Sequence, residues 1–235
     1  MKRVLLASTS TLHGQDYLAY LLPEISELFQ KCKEIIFIPY ARPGGISHEN
    51  YTALVKKTFK DISFNVKGLH EFKDPKKALS QAEGIFIGGG NTFVLVDKLY
   101  RNDLMELLRE KIRNGTPYLG TSAGTNICGL TMQTTNDMPI VYPPSFKTLG
   151  IVPFNLNPHY LDPDKNSTHK GETRETRIKE FHTINTYPVV GLREGSWLEV
   201  KAEEITLRGS LPARIFKAGE EPYELEKNSK LTELN

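Results

Sequence analysis

Cysteine is nearly absent from this 235-residue sequence, and the two that occur, Cys32 and Cys128, form neither a Cys-x-x-Cys pair nor a framework of bridges. That excludes a disulfide-stapled secreted scaffold, fits a reducing compartment, and leaves each thiol as small core filler. Excess charge is missing too: 30 Lys and Arg stand against 28 Asp and Glu, with no long basic run. A nucleic-acid partner is therefore not expected. Long hydrophobic runs are also lacking. The apolar stretch Val4 to Ala7 behind Met1-Lys2-Arg3 is too short for a signal-peptide core, and nothing approaches the length of a membrane helix. The expectation is a soluble, cytoplasmic protein, with no repeat, low-complexity segment or convincing linker.

What is present suits a single α/β domain over residues 1–235, with 39% hydrophobic and 25% charged residues. Short apolar β-rich runs (4–7, 35–38, 64–66, 85–87 and 117–120) alternate with segments of helical period (15–31, 47–60, a helix opened by Asp74-Pro75, 92–100 and 103–113). Asp103 with Glu106 three residues on reads as a capping-box variant at the start of the last of these. This alternation predicts a mostly parallel, doubly wound sheet with flanking helices, whose ligands gather at the carboxyl ends of the strands. After a helix near 172–184, runs at 188–192, 197–201, 205–207 and 214–217 predict extra C-terminal β-strands, in the manner of a meander or added edge strands.

One strand ends in Gly120-Thr121-Ser122-Ala123-Gly124 with a plausible helix behind it. A serine hydroxyl is a weak nucleophile, so it needs a sharp, exposed turn that admits a base and sets backbone N–H groups beside the attacked carbonyl. Small residues at 120, 123 and 124 permit that turn; an ordinary Gly-rich turn or phosphate cradle is the competing reading. Among six histidines, His159 ends the run Phe154-Asn155-Leu156-Asn157-Pro158 and reads as a strand-end base. Two carboxylates could orient it: Asp137 in the turn-rich Thr134–Pro139 loop, and Glu194 just past the apolar run 188–192. The Ala123 N–H and one from the Gly88–Gly90 loop, at Gly89, would form an oxyanion hole. Arg174, in the run His169-Lys170-Gly171-Glu172-Thr173-Arg174, is the first choice for holding an acidic substrate, with His169 and Arg177 behind it. Asn91 is the candidate for a substrate amine.

Taken in order, Gly88-Gly89-Gly90-Asn91-Thr92-Phe93, Ser122-Ala123-Gly124, Thr134 to Pro139, Asn157-Pro158-His159 and His169 to Arg174 resemble the peptidase E family of α-aspartyl dipeptidases over nearly the whole chain. The steps of 15 and 37 residues from Ser122 to Asp137 and His159 add to the likeness. The resemblance implies a fold similar to class I glutamine amidotransferases and a serine-type dipeptidase that cleaves a small acidic Asp-X dipeptide; the mechanism expected is an acyl-enzyme on Ser122 without metal or organic cofactor, in a monomer or homodimer. It implies Ser122 as nucleophile and His159 as base. For the acid, Asp137 matches the aspartate traditionally placed in the triad and is the first choice, while Glu194 matches a glutamate positioned to orient the histidine. The family often has Trp before the nucleophile, where this chain has Thr121. Gly-Thr-Ser-Ala-Gly also resembles the cyanophycinases, which cleave β-aspartyl-arginine, so a β-aspartyl peptidase, a general carboxylesterase and a non-catalytic small-ligand module remain alternatives.

Overall fold

A computed structural model describes residues 1–62, 64–163, 168, 171–231 and 234. Its elements, in chain order, are β1 (Arg3–Ala7), α1 (Leu22–Phe29), β2 (Glu34–Ile38), α2 (His48–Thr58), β3 (Asn65–Gly68), α3 (Pro75–Ser80), β4 (Ile85–Ile87), α4 (Thr92–Arg101), α5 (Met105–Arg113), β5 (Tyr118–Thr121) and α6 (Ala123–Asn126). They continue with β6 (Asn155–Pro158), α7 (Arg174–Phe181), β7 (Val189–Leu192), β8 (Ser196–Lys201), β9 (Glu204–Gly209), β10 (Ala213–Phe216) and β11 (Tyr223–Leu225).

A seven-stranded sheet runs β3-β2-β4-β5-β1-β8-β9, and its first five strands are parallel. The α/β fold with a mostly parallel sheet is the one the alternation predicts. Its strands read as continuous apolar runs because helices cover both faces: Ile36, Ile38, Ile85 and Ile87 pack into one cluster, Ile35, Phe37 and Phe86 into the other. The C-terminal runs are strands as expected, but they divide between two sheets rather than form one meander. β8 and β9 make a hairpin whose first strand pairs antiparallel with β1, so that Leu198 faces Leu6 in register. The other four strands build a second sheet, β11-β10-β7-β6, in which β6 and β7 are parallel. Leu156, Val190 and Ile215 of that sheet belong to the same apolar cluster as Val4 and Leu6 of the first.

Local chemistry explains most element starts. Asp74 accepts from Lys77 N–H at 3.0 Å ahead of Pro75, and Ser47 accepts from Asn50 N–H at 3.2 Å at the head of α2. The expected helix 15–31 is shorter, a single 3-10 turn at Ala19–Leu21 followed by α1. Leu18 takes a left-handed φ of 59° and gives its N–H to Ser10 O, while Pro23, lacking an N–H, suits only the first turn of a helix. The capping box at Asp103 is not formed either. Asp103 has φ 51° and pairs with Lys76 at 2.8 Å, Leu104 occupies the N-cap, and Glu106 is drawn to Arg109. Among the described residues no helix is long and apolar enough to cross a membrane. Both cysteines are buried, and burial pushes the Cys128 thiol up to about 12, which keeps it neutral and unreactive.

Candidate active site

β5 delivers Ser122 into a strained turn, with φ 52° and ψ −109° at a non-glycine residue. The surroundings hold it there. Ser122 N–H donates to Ala7 O at 3.1 Å, and its own carbonyl accepts from Thr125 and Asn126 N–H at 3.0 and 2.8 Å. The turn is so tight that a Cβ on Gly124 would lie 2.2 Å from Ile87 O, which is the steric reason for glycine there. Gly89, past the end of β4, approaches from the neighbouring strand: an added Cβ would lie 3.0 Å from Ser122 Cβ. No backbone carbonyl among the described residues takes the N–H of Gly89 or of Ala123, the latter opening α6.

β6 ends at Pro158, and His159 follows with φ 54°. Its Nε2 lies 3.0 Å from Ser122 Oγ and its Nδ1 2.7 Å from Glu194 Oε1. A carboxylate only accepts, so Nδ1 carries the proton and Nε2 is the acceptor for the serine hydroxyl. The register between β6 and β7, with Pro158 opposite Leu192, brings the next residues of both strands out at one end, which is how positions 159 and 194 meet. Arg193 anchors the acid's turn by donating to both oxygens of Asp162 and of Glu224 and to Pro212 O, at 2.7 to 2.9 Å. Those hydrogen bonds hold the Asp162 carboxyl below its usual range.

Asp137, the first-choice acid, is elsewhere. Its Oδ2 accepts from Thr92 N–H, Thr92 Oγ1 and Thr135 Oγ1 at 2.7, 2.6 and 2.9 Å. The N-terminus of α4 offers free N–H groups and partial positive charge, and these, with two hydroxyls, hold the carboxylate away from His159. The carboxylate within hydrogen-bond reach of His159 is that of the competitor, Glu194. Asn91 is engaged at the head of α4. Its Oδ1 caps Val94 N–H at 3.1 Å and its Nδ2 donates to Met138 O at 2.8 Å, so the amide is spent on the helix start and the neighbouring loop. His169 lies outside the described residues. Arg177 is exposed beside Glu172 and does not line the cleft.

Ser122 and His159 open into a cleft of about 410 Å³ that Gly89, Asp137, Arg174 and Arg42 also line. Arg174 is the first residue of α7, whose N-cap Thr173 accepts from Thr176 N–H at 3.1 Å. Burial and then repulsion from Arg177 pull its guanidinium below the ordinary value, against attraction from Asp137. A larger hollow of about 810 Å³ beside the edge strand β3 contains none of these groups. Thr121 is fully buried and does not line the cleft.

Two residues of the site escaped the sequence reading. Ser8, fully buried, accepts His159 N–H at 2.9 Å and donates to Leu192 O at 2.7 Å, so one hydroxyl ties the histidine to the strand that carries the acid. Arg42 is the other. Ser8 directly follows β1 and Arg42 follows β2 by four residues, so their place past strand ends in a parallel sheet was the available signal.

Peptidase family S51 matches residues 4–208 of the chain. The chain belongs to that family. Over 231 residues this S51 chain is 49% identical to Peptidase E of Streptomyces coelicolor, covering 98% of itself and 94% of the relative. It is 46% identical over 236 residues to the probable alpha-aspartyl dipeptidase of Drosophila melanogaster, covering 99% and 97%. A crystal structure of a peptidase from an acI-B1 Actinobacterium superposes on the S51 chain with a TM-score of 0.73 at 18% identity, over 98% and 96% of the two chains, and carries the likeness of fold alone.

Proposed function

We propose that this chain is a serine-type dipeptidase that hydrolyses dipeptides with an N-terminal aspartate. The observation that carries the reading is the relay from Ser122 Oγ to His159 Nε2 at 3.0 Å and from His159 Nδ1 to Glu194 at 2.7 Å, opening into a cleft that Asp137 and Arg174 line. The names of the relatives, peptidase E and alpha-aspartyl dipeptidase, agree with it.

His159 takes the hydroxyl proton as Ser122 attacks the aspartyl carbonyl carbon, and Glu194 stabilises the imidazolium that forms. The N–H groups of Gly89 and Ala123 receive the developing oxyanion. His159 then passes its proton to the departing amine, the C–N bond breaks, and an aspartyl ester remains on Ser122. Water, deprotonated by the same histidine, hydrolyses it. The charges of an N-terminal aspartyl residue, an ammonium and a β-carboxylate, meet an acid and a cation: Asp137 is the partner for the first, in place of Asn91, and Arg174 for the second.

Hydrolysis of Asp-Leu, Leu-Leu, Asn-Leu and β-Asp-Leu by wild type and Ser122→Ala tests the reading. Turnover confined to Asp-Leu and lost in the variant is expected. Turnover confined to the β-linked peptide would move the chain to the β-aspartyl branch, and wild-type kcat/KM in Ser122→Ala would end the serine mechanism.

A further inference from the structure

Arg42 lines the cleft that holds Ser122 and stacks on Tyr51, its guanidinium carbon 5.2 Å from the ring centroid. Tyr51 is buried, and its hydroxyl donates to Gly89 O at 3.4 Å, so the cation rests on a ring that touches the turn beside the nucleophile. The backbone next to it is pinned as well. Asn91 N–H donates to Ala41 O at 2.7 Å, and the approach leaves no room for a side chain on Gly90, whose Cβ would lie 2.3 Å from that oxygen. Arg42 takes part in none of the ion pairs among the described residues. An arginine held on an aromatic face with its N–H fork unspent is a preorganised receptor for a planar anion.

The same residue borders a second groove, of about 530 Å³, which Ile46, Val94, Ile140 and Val141 line. Ile140 is 56% exposed there and adds apolar surface to the groove. β2 lies two strands from β5 in the sheet, about 10 Å at the ordinary strand spacing, and Arg42 and Ser122 line the same cleft.

We infer that Arg42 and this groove form the subsite for the departing residue: the guanidinium pairs with that residue's free α-carboxylate, and the apolar groove takes its side chain. The inference rests on the aspartyl dipeptidase reading above. It accounts for the charge on the substrate that Asp137 and Arg174 leave unmatched. It also limits chain length, because a third residue would replace the paired carboxylate by a neutral amide.

The test measures kcat/KM for Asp-Leu and Asp-Leu-amide with wild type, Arg42→Ala and Arg42→Lys, and includes Asn-Leu. Wild type is expected to favour the free acid by about 10- to 100-fold, the size of a charged hydrogen-bonded pair. In Arg42→Ala that ratio should fall to within about 3-fold of unity, and Arg42→Lys should restore part of it through charge without the fork. An Arg42→Ala enzyme that keeps the wild-type ratio, or a wild type indifferent to the amide, would overturn the inference. Preference for Asp-Leu over Asn-Leu in wild type shows whether the aspartyl reading survives such a failure; a wild type that cleaves no aspartyl substrate would remove both.

Discussion

The two sheets bring unlike materials to the site. From the seven-stranded sheet comes Ser122, in a turn packed so closely that glycine is imposed at 124 and backbone strain is held by a hydrogen bond to the Ala7 carbonyl and by two from N–H groups of α6. From the four-stranded sheet come His159 and Glu194, whose side chains are 37% and 53% exposed and whose turn is anchored by the Arg193 ion-pair network. One half is positioned by sterics in a buried frame. The other is positioned by polar contacts near solvent, where charged pairs are individually weaker and more readily altered. Ser8, just past the interior strand β1, joins them.

Substitutions can break this comparison in descending order of effect. Ser122→Ala should lower kcat by roughly 10⁴-fold or more while the protein melts as wild type does, since only the reacting oxygen is lost. Glu194→Gln should cost kcat about 10³- to 10⁴-fold by favouring the wrong tautomer of His159, whereas Asp137→Asn should act mainly through KM and reduce kcat by less than about 10-fold. The reverse order in steady-state kinetics would return the orienting role to Asp137. Ser8→Ala should lower kcat about 10- to 100-fold with little change in KM, because a misplaced histidine harms the transition state more than substrate binding. Equal losses in kcat and stability with a raised KM would mark it as ordinary core packing. The smallest effect is expected from Arg193→Met, which should reduce Tm by about 2–4 °C at neutral pH. Its acid dependence sharpens the point. Arg193 holds the Asp162 carboxyl low, so that contribution is present above the ordinary aspartate range near pH 4 and is lost as pH falls through the lowered native value. The gap between variant and wild-type melting curves should therefore narrow below about pH 4.

Much of the first half was legible because it is local. The apolar runs, the cap at Asp74-Pro75 and the Gly-x-Ser-x-Gly turn involve neighbouring residues whose sterics act whatever the rest of the chain does. Where local signals failed, a tertiary partner had won: Asp103 answered to Lys76, and the segment before Pro23 answered to Ser10. The place of Asn91 in the site's loop is legible in the sequence, whereas its work as an N-cap whose amide is used up at both ends is not.

By itself the sequence determined the parallel α/β frame, the strained serine turn and the presence of a histidine and two acids within reach of it, since periodicity and glycine sterics operate over a few residues. Only the tertiary structure decided which acid meets the histidine. Asp137 and Glu194 are both plausible carboxylates in loops, and nothing in their neighbours separates them. The parallel pairing of β6 with β7, with Pro158 opposite Leu192, brings Glu194 to His159, while the free N–H groups at the start of α4 draw Asp137 the other way. Those forces arise between segments distant in the chain, and they exist only once the two sheets have formed.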